Sequence, residues 1–228
     1  MNIMNNNSIF YFIFLFLLFD IIDRNHKRVF KINVILLQLI MKNFDGILFL
    51  VVGNSGSGKD TLIRAVLERY STAQMQIHSP KRYITRPPSK TETNISITPD
   101  EFRKLSKEGK FAFEWHIYGL SYGVPIIIDE WLSLGYPVII NVSRKIIQQA
   151  RETYKNLKVI FVYVPFEISV KRLKDRKRES TKQLNERIER AKTHQTYDKA
   201  DFVLDNSGIL ENTIEKLLNY ILSNVNKE

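Results

Sequence analysis

Residues Gly53–Thr61, with the sequence GNSGSGKDT, join an apolar run to an amphipathic segment. The run before them, Ile47–Val52, contains six consecutive apolar residues and predicts a buried parallel strand. The segment after the glycines, Asp60–Tyr70, carries apolar residues at helical spacing and predicts a helix. Glycines between a strand and a helix let backbone N–H groups turn inward, and the helix N-terminus adds partial positive charge. The stretch therefore predicts a phosphate-binding loop.

The loop matches the pattern G-x-x-x-x-G-K-[ST] at every position except the last. We expect its first six residues to surround the phosphates: Gly53, Asn54, Ser55, Gly56, Ser57 and Gly58. Lys59 would supply positive charge to the β- and γ-phosphates. Asp60 stands where a Mg²⁺-binding Ser or Thr is usual, and Thr61 follows it. Two alternatives remain open: Asp60 binds Mg²⁺ directly or through water, or Thr61 takes that role.

Apolar runs and helical periodicities alternate along the rest of the chain. Further strands are predicted over Phe111–His116, Pro137–Asn141 and Val159–Val164, with Glu114 and His116 on one face of the first. Helices are predicted over residues 99–107, 126–134, 143–154, 166–176, 183–194 and 208–224. This alternation predicts a layered α/β domain with a mainly parallel sheet.

Composition narrows the function. The 228 residues contain no cysteine, which excludes disulfide scaffolds, thiolate zinc sites and cysteine nucleophiles. The formal net charge of the chain is +10. Residues 171–192 contain ten basic and four acidic residues, so this segment contributes +6 of that net charge. It contains no aromatic residue, which argues against nucleic-acid binding. We therefore expect a small polyphosphate partner and no nucleic acid.

Residues 1–40 differ in composition from the remainder, because every glycine lies at or after Gly46 and every proline at or after Pro80. The run Ile9–Phe19 ends at Asp20, which leaves it shorter than the ~20 apolar residues of a membrane span. No basic region or small-residue cleavage site marks a signal peptide. The segment is either a short interfacial anchor, with membrane contact, or upstream sequence before a true start at Met41, which we favour. In both cases we expect a functional domain over 41–228, in the cytoplasm.

Several segments together resemble one known family. In chain order they are GNSGSGKDTL (Gly53–Leu62), KRYITRPP (Lys81–Pro88), FAFEWHIYGLSYGVP (Phe111–Pro125), IDEWLSLGYPVIINVSR (Ile128–Arg144), RLKDRKRE (Arg172–Glu179) and RIERA (Arg187–Ala191). Over nearly all of 41–228 the chain resembles the ribose 1,5-bisphosphate phosphokinases of phosphonate catabolism. The resemblance implies a guanylate-kinase-like fold: a three-layer P-loop domain of the nucleoside-monophosphate-kinase type, with an acceptor-binding insertion and an arginine-rich lid.

The resemblance also implies a reaction. ATP would give its γ-phosphoryl group, with Mg²⁺, to the 1-phosphate of ribose 1,5-bisphosphate, producing 5-phospho-α-D-ribose 1-diphosphate. A phosphate acceptor is already anionic near pH 7, so such a kinase requires positioning and charge neutralisation rather than a general base. The lack of any Ser-His-Asp arrangement in the sequence agrees with this expectation.

By resemblance, the lid arginines Arg172, Arg176 and Arg187 match those that close over the transferred phosphoryl group. We expect Lys59, Arg176 and Arg187 to be catalytic and Arg172 to bind ATP. Guanidinium groups suit oxygens whose charge grows in the transition state.

By the same resemblance, four residues are expected to bind the acceptor: Arg82 and Arg86 at its phosphates, and Tyr122 and Gly123 in its pocket. Glu114 is a further candidate, because guanylate kinases read the guanine edge at this position. Asn94 replaces a histidine associated with the ribose enzyme.

Two other functions remain open. Guanylate kinase shares TRPP (Thr85–Pro88) and Glu114, but its GMP-contacting aromatic stretch is replaced by ETNISI (Glu92–Ile97) and its acidic strand end by IINVSR (Ile139–Arg144). Its loop would also carry Ser or Thr where Asp60 stands. Guanylate-kinase-like domains can alternatively serve as non-catalytic binding modules, but these typically lose phosphate-loop residues that this chain keeps.

Overall fold

A computed structural model describes residues 41–69, 76–88, 94–175 and 181–225. Its central strand is β1 (Leu48–Val52), and all five of its side chains are buried. Leu48 and Leu50 belong to one core cluster, whereas Phe49 and Val51 belong to another. Because successive strand residues point to opposite faces, β1 is buried on both sides, as its continuous apolar run predicts.

The main sheet is parallel and contains four strands in the described residues. Besides β1 they are β6 (Val138–Asn141), β7 (Leu157–Tyr163) and β8 (Phe202–Asp205), in the order β6-β1-β7-β8. Leu48 lies opposite both Val138 and Leu157 in the parallel register. The predicted parallel sheet is confirmed, but β8 was not expected, because its short sequence FVLD follows no long apolar run.

The described residues contain seven α-helices: α1 (Lys59–Arg69), α2 (Pro99–Lys107), α3 (Ile127–Ser133), α4 (Ile147–Thr153), α5 (Phe166–Asp175), α6 (Thr181–Thr193) and α7 (Leu210–Val225). Each confirms a predicted helix, with small differences at the ends. The largest difference precedes α4, where Arg144–Ile146 forms a 3₁₀ turn capped by the Ser143 hydroxyl. Helix α2 begins where predicted because Thr98 and Glu101 form a reciprocal capping box.

Helices cover both faces of the main sheet. Apolar residues of α1 and α7, such as Leu62 and Leu217, pack on the cluster that contains Phe49. On the other face, Ile128 of α3 and Ile147 of α4 join the cluster that contains Leu48. The described residues therefore form three layers, as the family resemblance implies, around the mainly parallel sheet that the α/β alternation predicts.

A second, smaller sheet corresponds to the expected insertion. Its strands are β2 (Tyr83–Ile84), β3 (Ile95–Ser96), β4 (Phe111–Ile117) and β5 (Leu120–Pro125), in the order β3-β2-β5-β4. Strands β4 and β5 form an antiparallel hairpin. Phe113 and Trp115 are buried, whereas Glu114 and His116 are exposed, so the predicted alternation along β4 is confirmed.

Among the described residues, none of the helices combines the length and the apolar character required to cross a membrane.

Candidate active site

The loop after β1 adopts a conformation that its glycines permit. Gly56 and Gly58 have φ angles of 87° and 91°, in the left-handed region that favours glycine. A Cβ atom at Gly56 would lie 2.8 Å from the carbonyl oxygen of Ser169, and one at Gly58 would collide with the Asn206 amide. Both positions therefore require glycine for backbone conformation and for space.

Lys59, the first residue of α1, bends back over this loop. Its Nζ lies 2.8 Å from the carbonyl oxygens of Gly53 and Asn54 and 3.2 Å from Ser57 Oγ. The ammonium group is thereby held beside the loop and the N-terminus of α1, where a phosphate chain would find the most favourable potential.

Asp60 belongs to a network that links both sheets. Asn141 Nδ2, at the end of β6, donates to Asp60 Oδ1 at 2.7 Å, and Arg82 Nη2 lies 3.3 Å from the same oxygen. Arg82 also donates to the Asn141 carbonyl oxygen at 2.9 Å. Arg82, which precedes β2, is thus fixed between the phosphate loop and β6.

Asp60 could contribute one carboxylate oxygen to a magnesium ion, although the described residues contain no cluster of three or more His, Cys, Asp or Glu side chains that could hold a metal. Asp60 lines the same cavity as Lys59, and both donors from Asn141 and Arg82 meet one oxygen, Oδ1. Mg²⁺ commonly takes only one or two protein carboxylates and completes its shell with water and phosphate oxygens. Thr61 lines only an adjoining cavity, which it shares with Asp60, Arg64 and Lys81. Because Asp60, and not Thr61, lines the cavity with Lys59, its position favours the first of the two alternatives, and the choice stays a prediction.

Arg172 contacts the phosphate loop from outside the main cavity. Its Nη1 lies 3.4 Å from the Gly56 carbonyl oxygen, and its Nη2 donates to the Asn206 carbonyl oxygen at 3.2 Å. Buried Asn206 in turn donates to the Ser57 carbonyl oxygen at 2.7 Å. These contacts support the loop, and the ATP contact expected of Arg172 stays a prediction.

Arg187, on α6, lies at the loop as the lid resemblance implies. It is only 8% exposed, and its Nη1 donates to Ser55 Oγ at 2.8 Å. Its guanidinium carbon lies 4.7 Å from the centre of the Tyr118 ring. Arg176, the other expected catalytic arginine, lies outside the described residues.

Arg144, just after β6, joins the loop to the end of α6. Its Nη2 lies 3.1 Å from both Asn54 Oδ1 and the His194 carbonyl oxygen. Burial, and secondarily repulsion from Arg190, lower the pKa of Arg144 to about 10, so it remains charged at pH 7. Asn54 Nδ2 also donates to the His194 carbonyl oxygen at 2.9 Å. The side chain of Asn54, the second residue of the loop, is therefore fixed by hydrogen bonds to Arg144 and to the His194 carbonyl oxygen.

The second sheet gives the cavity an aromatic wall. The rings of Trp115 and Tyr122 stack across β4 and β5 with centroids 5.2 Å apart, and both residues line the cavity with Arg86. Gly123 lies on the other face, where the Phe111 ring leaves no space for a side chain.

Two polar residues of β4 lie away from this wall. Exposed Glu114 is on the strand face opposite Trp115, so neither it nor Gly123 lines the cavity with Arg82, Arg86 and Tyr122. His116 Nδ1 is 2.8 Å from Ser121 Oγ, a local hydrogen bond.

The cavity has a strongly positive lining. Among the described residues that line it, six are basic: Lys59, Arg82, Arg86, Arg144, Arg187 and Arg190. Asp60 is the only carboxylate among these lining residues. Such a lining suits a ligand with several phosphate groups, since it balances many negative charges in a partly desolvated space.

Sequence reasoning missed several lining residues, including Tyr118, Asn141, Arg144 and Arg190. A signal for two of them existed. Asn141 and Arg144 follow a predicted parallel strand, and polar residues at the carboxyl ends of such strands commonly form sites. No comparable signal marked Tyr118, whose position depends on how the hairpin packs against α6.

Comparison with known proteins identifies relatives over most of this chain. The sequence profile of the guanylate kinase family matches residues 46–224. Ribose 1,5-bisphosphate phosphokinase PhnN of Pseudomonas paraeruginosa is 38% identical over 178 residues, which cover 77% of this chain and 95% of the relative. The protein of the same name from Pectobacterium atrosepticum is 39% identical over 170 residues, covering 73% and 89%.

A solved structure agrees on the fold. The guanylate kinase of Anaplasma phagocytophilum superposes with a TM-score of 0.59 at 19% identity, covering 82% of this chain and 90% of its own. The profile match, the curated relatives and the three-layer architecture lead to one assignment: this chain belongs to the guanylate kinase family.

Proposed function

We propose that this chain transfers the γ-phosphoryl group of ATP to the 1-phosphate of ribose 1,5-bisphosphate. The products are ADP and 5-phospho-α-D-ribose 1-diphosphate. As a member of a kinase family it uses a nucleotide phosphoryl donor and a small-molecule acceptor. The observation that carries the proposal is the cavity with six basic side chains, in a chain whose curated relatives bear this activity in their names.

The nucleotide end of the reaction belongs to the phosphate loop. Loop N–H groups and Lys59 would hold the β- and γ-phosphates. Hydrogen bonds from Lys59 Nζ to the Gly53 and Asn54 carbonyl oxygens keep the ammonium charge beside the loop. Arg187 would neutralise charge that develops on the transferred group, because its guanidinium already lies at Ser55. Arg176 is proposed as its partner on the strength of the family match alone.

The acceptor end belongs to the second sheet. Arg82 and Arg86 are proposed to hold the acceptor's phosphates beside the Trp115 and Tyr122 wall. The attacking oxygen belongs to a phosphate that is already deprotonated near pH 7, so no side chain needs to remove a proton. This agrees with a lining in which Asp60 is the only described carboxylate.

When present, Mg²⁺ would supply positive charge that offsets part of the negative charge of the nucleotide phosphates. Asp60 is proposed as the residue that holds it. Asn141 and Arg82 would orient the Asp60 carboxylate through the hydrogen bonds to Oδ1.

The test is an ADP-release assay on the full chain with MgATP and three acceptors: ribose 1,5-bisphosphate, GMP and gluconate. We expect acceptor-dependent ADP release with ribose 1,5-bisphosphate and little with the others. A clear preference for GMP would overturn the acceptor assignment and leave the fold unaffected. If none of the three acceptors causes ADP release, the proposed phosphoryl transfer is wrong.

A further inference from the structure

Tyr118 occupies an unusual position in the backbone. It is the only non-glycine residue in the described part of the chain with a left-handed φ, at 55°. With Gly119, whose φ is 71°, it forms the two-residue turn between β4 and β5. Turns of this type favour Asn, Asp or Gly, because a larger side chain pays a steric penalty in the left-handed region. A tyrosine in this place calls for a compensating contact.

The compensating contact is with the lid. The Tyr118 ring packs against the guanidinium of Arg187, whose carbon lies 4.7 Å from the ring centre. Both residues line the main cavity, and Arg187 reaches onward to Ser55 Oγ in the phosphate loop. Burial raises the pKa of the Tyr118 phenol, so the side chain stays neutral and leaves the positive charge of Arg187 uncancelled.

We infer that Tyr118 is a positioning residue for the phosphoryl transfer proposed above, on which this inference rests. Its ring fixes the Arg187 guanidinium above the phosphate loop through a cation–π contact. Contacts from Tyr118 to Arg187 and from Arg187 to Ser55 thereby connect three parts of the site. These parts are the β4–β5 hairpin, helix α6 and the phosphate loop.

Substitutions in the same turn separate this role from a structural one. Tyr118→Gly removes the ring and suits the left-handed backbone, so Tm should stay within about 3 °C of the parent. The value of kcat should nevertheless fall about 3- to 30-fold, with a smaller change in KM for ATP, as the strength of a cation–π contact implies. Tyr118→Phe keeps the ring face and should restore kcat to within about threefold of the parent.

The matched control is Gly119→Asn. A Cβ atom at Gly119 meets no atom within 4 Å, and Asn tolerates its left-handed φ. This variant changes the turn without touching α6, so its kcat should match the parent. Equal loss of kcat in Gly119→Asn and Tyr118→Gly would assign the effect to the turn and overturn the inference.

A double-mutant cycle tests whether Tyr118 acts through Arg187. In an Arg187→Ala background, Tyr118→Gly should lower kcat by less than about twofold, because the group that the ring positions is gone. If Tyr118→Gly lowers kcat by the same factor with and without Arg187→Ala, the two residues act independently and the inference is wrong.

The same cycle should be measured as the affinity for MgADP with aluminium fluoride, which mimics the transferring phosphoryl group without an acceptor. This readout distinguishes the two proposals. A parent protein inactive on ribose 1,5-bisphosphate would refute the proposed acceptor, whereas the binding cycle would still support or overturn the role of Tyr118.

Discussion

At the scale of single residues, Lys59 joins the loop to α1 and contacts Gly53, Asn54 and Ser57 through its ammonium group. A local sequence pattern was sufficient to predict this residue, because loop and helix are consecutive in the chain. The relation of Asp60 to Asn141 could not be predicted in the same way. It depends on β6 being the neighbour of β1, which strand spacing along the chain does not reveal.

Lys59→Ala should reduce kcat by at least about 100-fold, because it removes a charge placed at the transferring group. The side chain is only partly buried, so circular dichroism and Tm should remain close to the parent. Lys107→Ala, at the exposed end of α2, is the matched control and should be fully active. Parent-level turnover in Lys59→Ala would remove the loop from the mechanism.

Asp60→Asn and Thr61→Ala together decide which residue holds magnesium. With Asp60→Asn we expect the Mg²⁺ concentration for half-maximal rate to rise about tenfold or more, because a charged oxygen ligand is lost. Thr61→Ala should leave this concentration nearly unchanged, since Thr61, unlike Asp60, does not line the cavity that contains Lys59. Magnesium titrations of the initial rate give both values, and the reverse ranking would assign the ion to Thr61.

Arg187→Ala should lower kcat more than it raises KM for ATP, since a lid charge acts mainly on the transition state. A loss of about 100-fold in kcat is typical for removal of such a group. Steady-state kinetics at varied ATP measure both constants. An effect confined to KM would reassign Arg187 to ground-state binding.

At the scale of elements, prediction succeeded where hydrophobic periodicity is long and failed where strands are short. Helix α2 and the apolar strands β1 and β7 were found because each buries a clear face or run. Strands β2 and β3 have two residues each, too few for a pattern, and their pairing is defined only by contact with β5 and with each other. Strand β4 was predicted from its own alternation, whereas the second sheet as a whole was foreseen only through family resemblance.

His78 illustrates how an element junction can respond to pH. Its ring stacks on Trp131 of α3, with centroids 4.7 Å apart, and packs edge-on against Tyr136. Burial lowers the pKa of His78 below its ordinary value of 6.5. The folded state therefore disfavours the protonated ring, and the unfolded chain binds this proton more readily as pH falls.

It follows that stability should decline as pH falls through 6.5 toward the lowered pKa of His78. His78→Phe keeps an aromatic ring and removes the titration, so its Tm should fall less between pH 7.5 and 5. His194→Asn, at an exposed site after α6, is the control. Tm measured across this range in all three proteins gives the answer, and parallel curves for parent and His78→Phe would contradict it.

At the scale of the whole molecule, the fold gathers basic side chains from distant parts of the sequence around one cavity. The sequence concentrates basic residues in 171–192, and the structure brings Arg187 and Arg190 from that segment to the cavity with Arg82, Arg86 and Arg144 from other elements. Net charge alone could predict an anionic partner. It could not predict which arginines converge, because that depends on the packing of α6 against the phosphate loop.

The family match over residues 46–224 lies inside the proposed functional domain, 41–228. A chain that begins at Met41 should therefore retain the kcat and KM of the full chain within about twofold, since the catalytic groups named above all follow that residue. Parallel purification and steady-state assays of both chains provide the comparison. Insolubility or loss of activity in the shorter chain would show that residues 1–40 are required for the fold or for catalysis.

The most direct measurement for the proposed activity is ³¹P nuclear magnetic resonance of the full chain incubated with MgATP and ribose 1,5-bisphosphate. We predict that the 1-phosphate resonance disappears while a coupled pair of diphosphate resonances grows, in step with ADP and with the 5-phosphate unchanged. An intact 1-phosphate, with ATP either unconsumed or hydrolysed to ADP and inorganic phosphate, would contradict phosphoryl transfer to this acceptor.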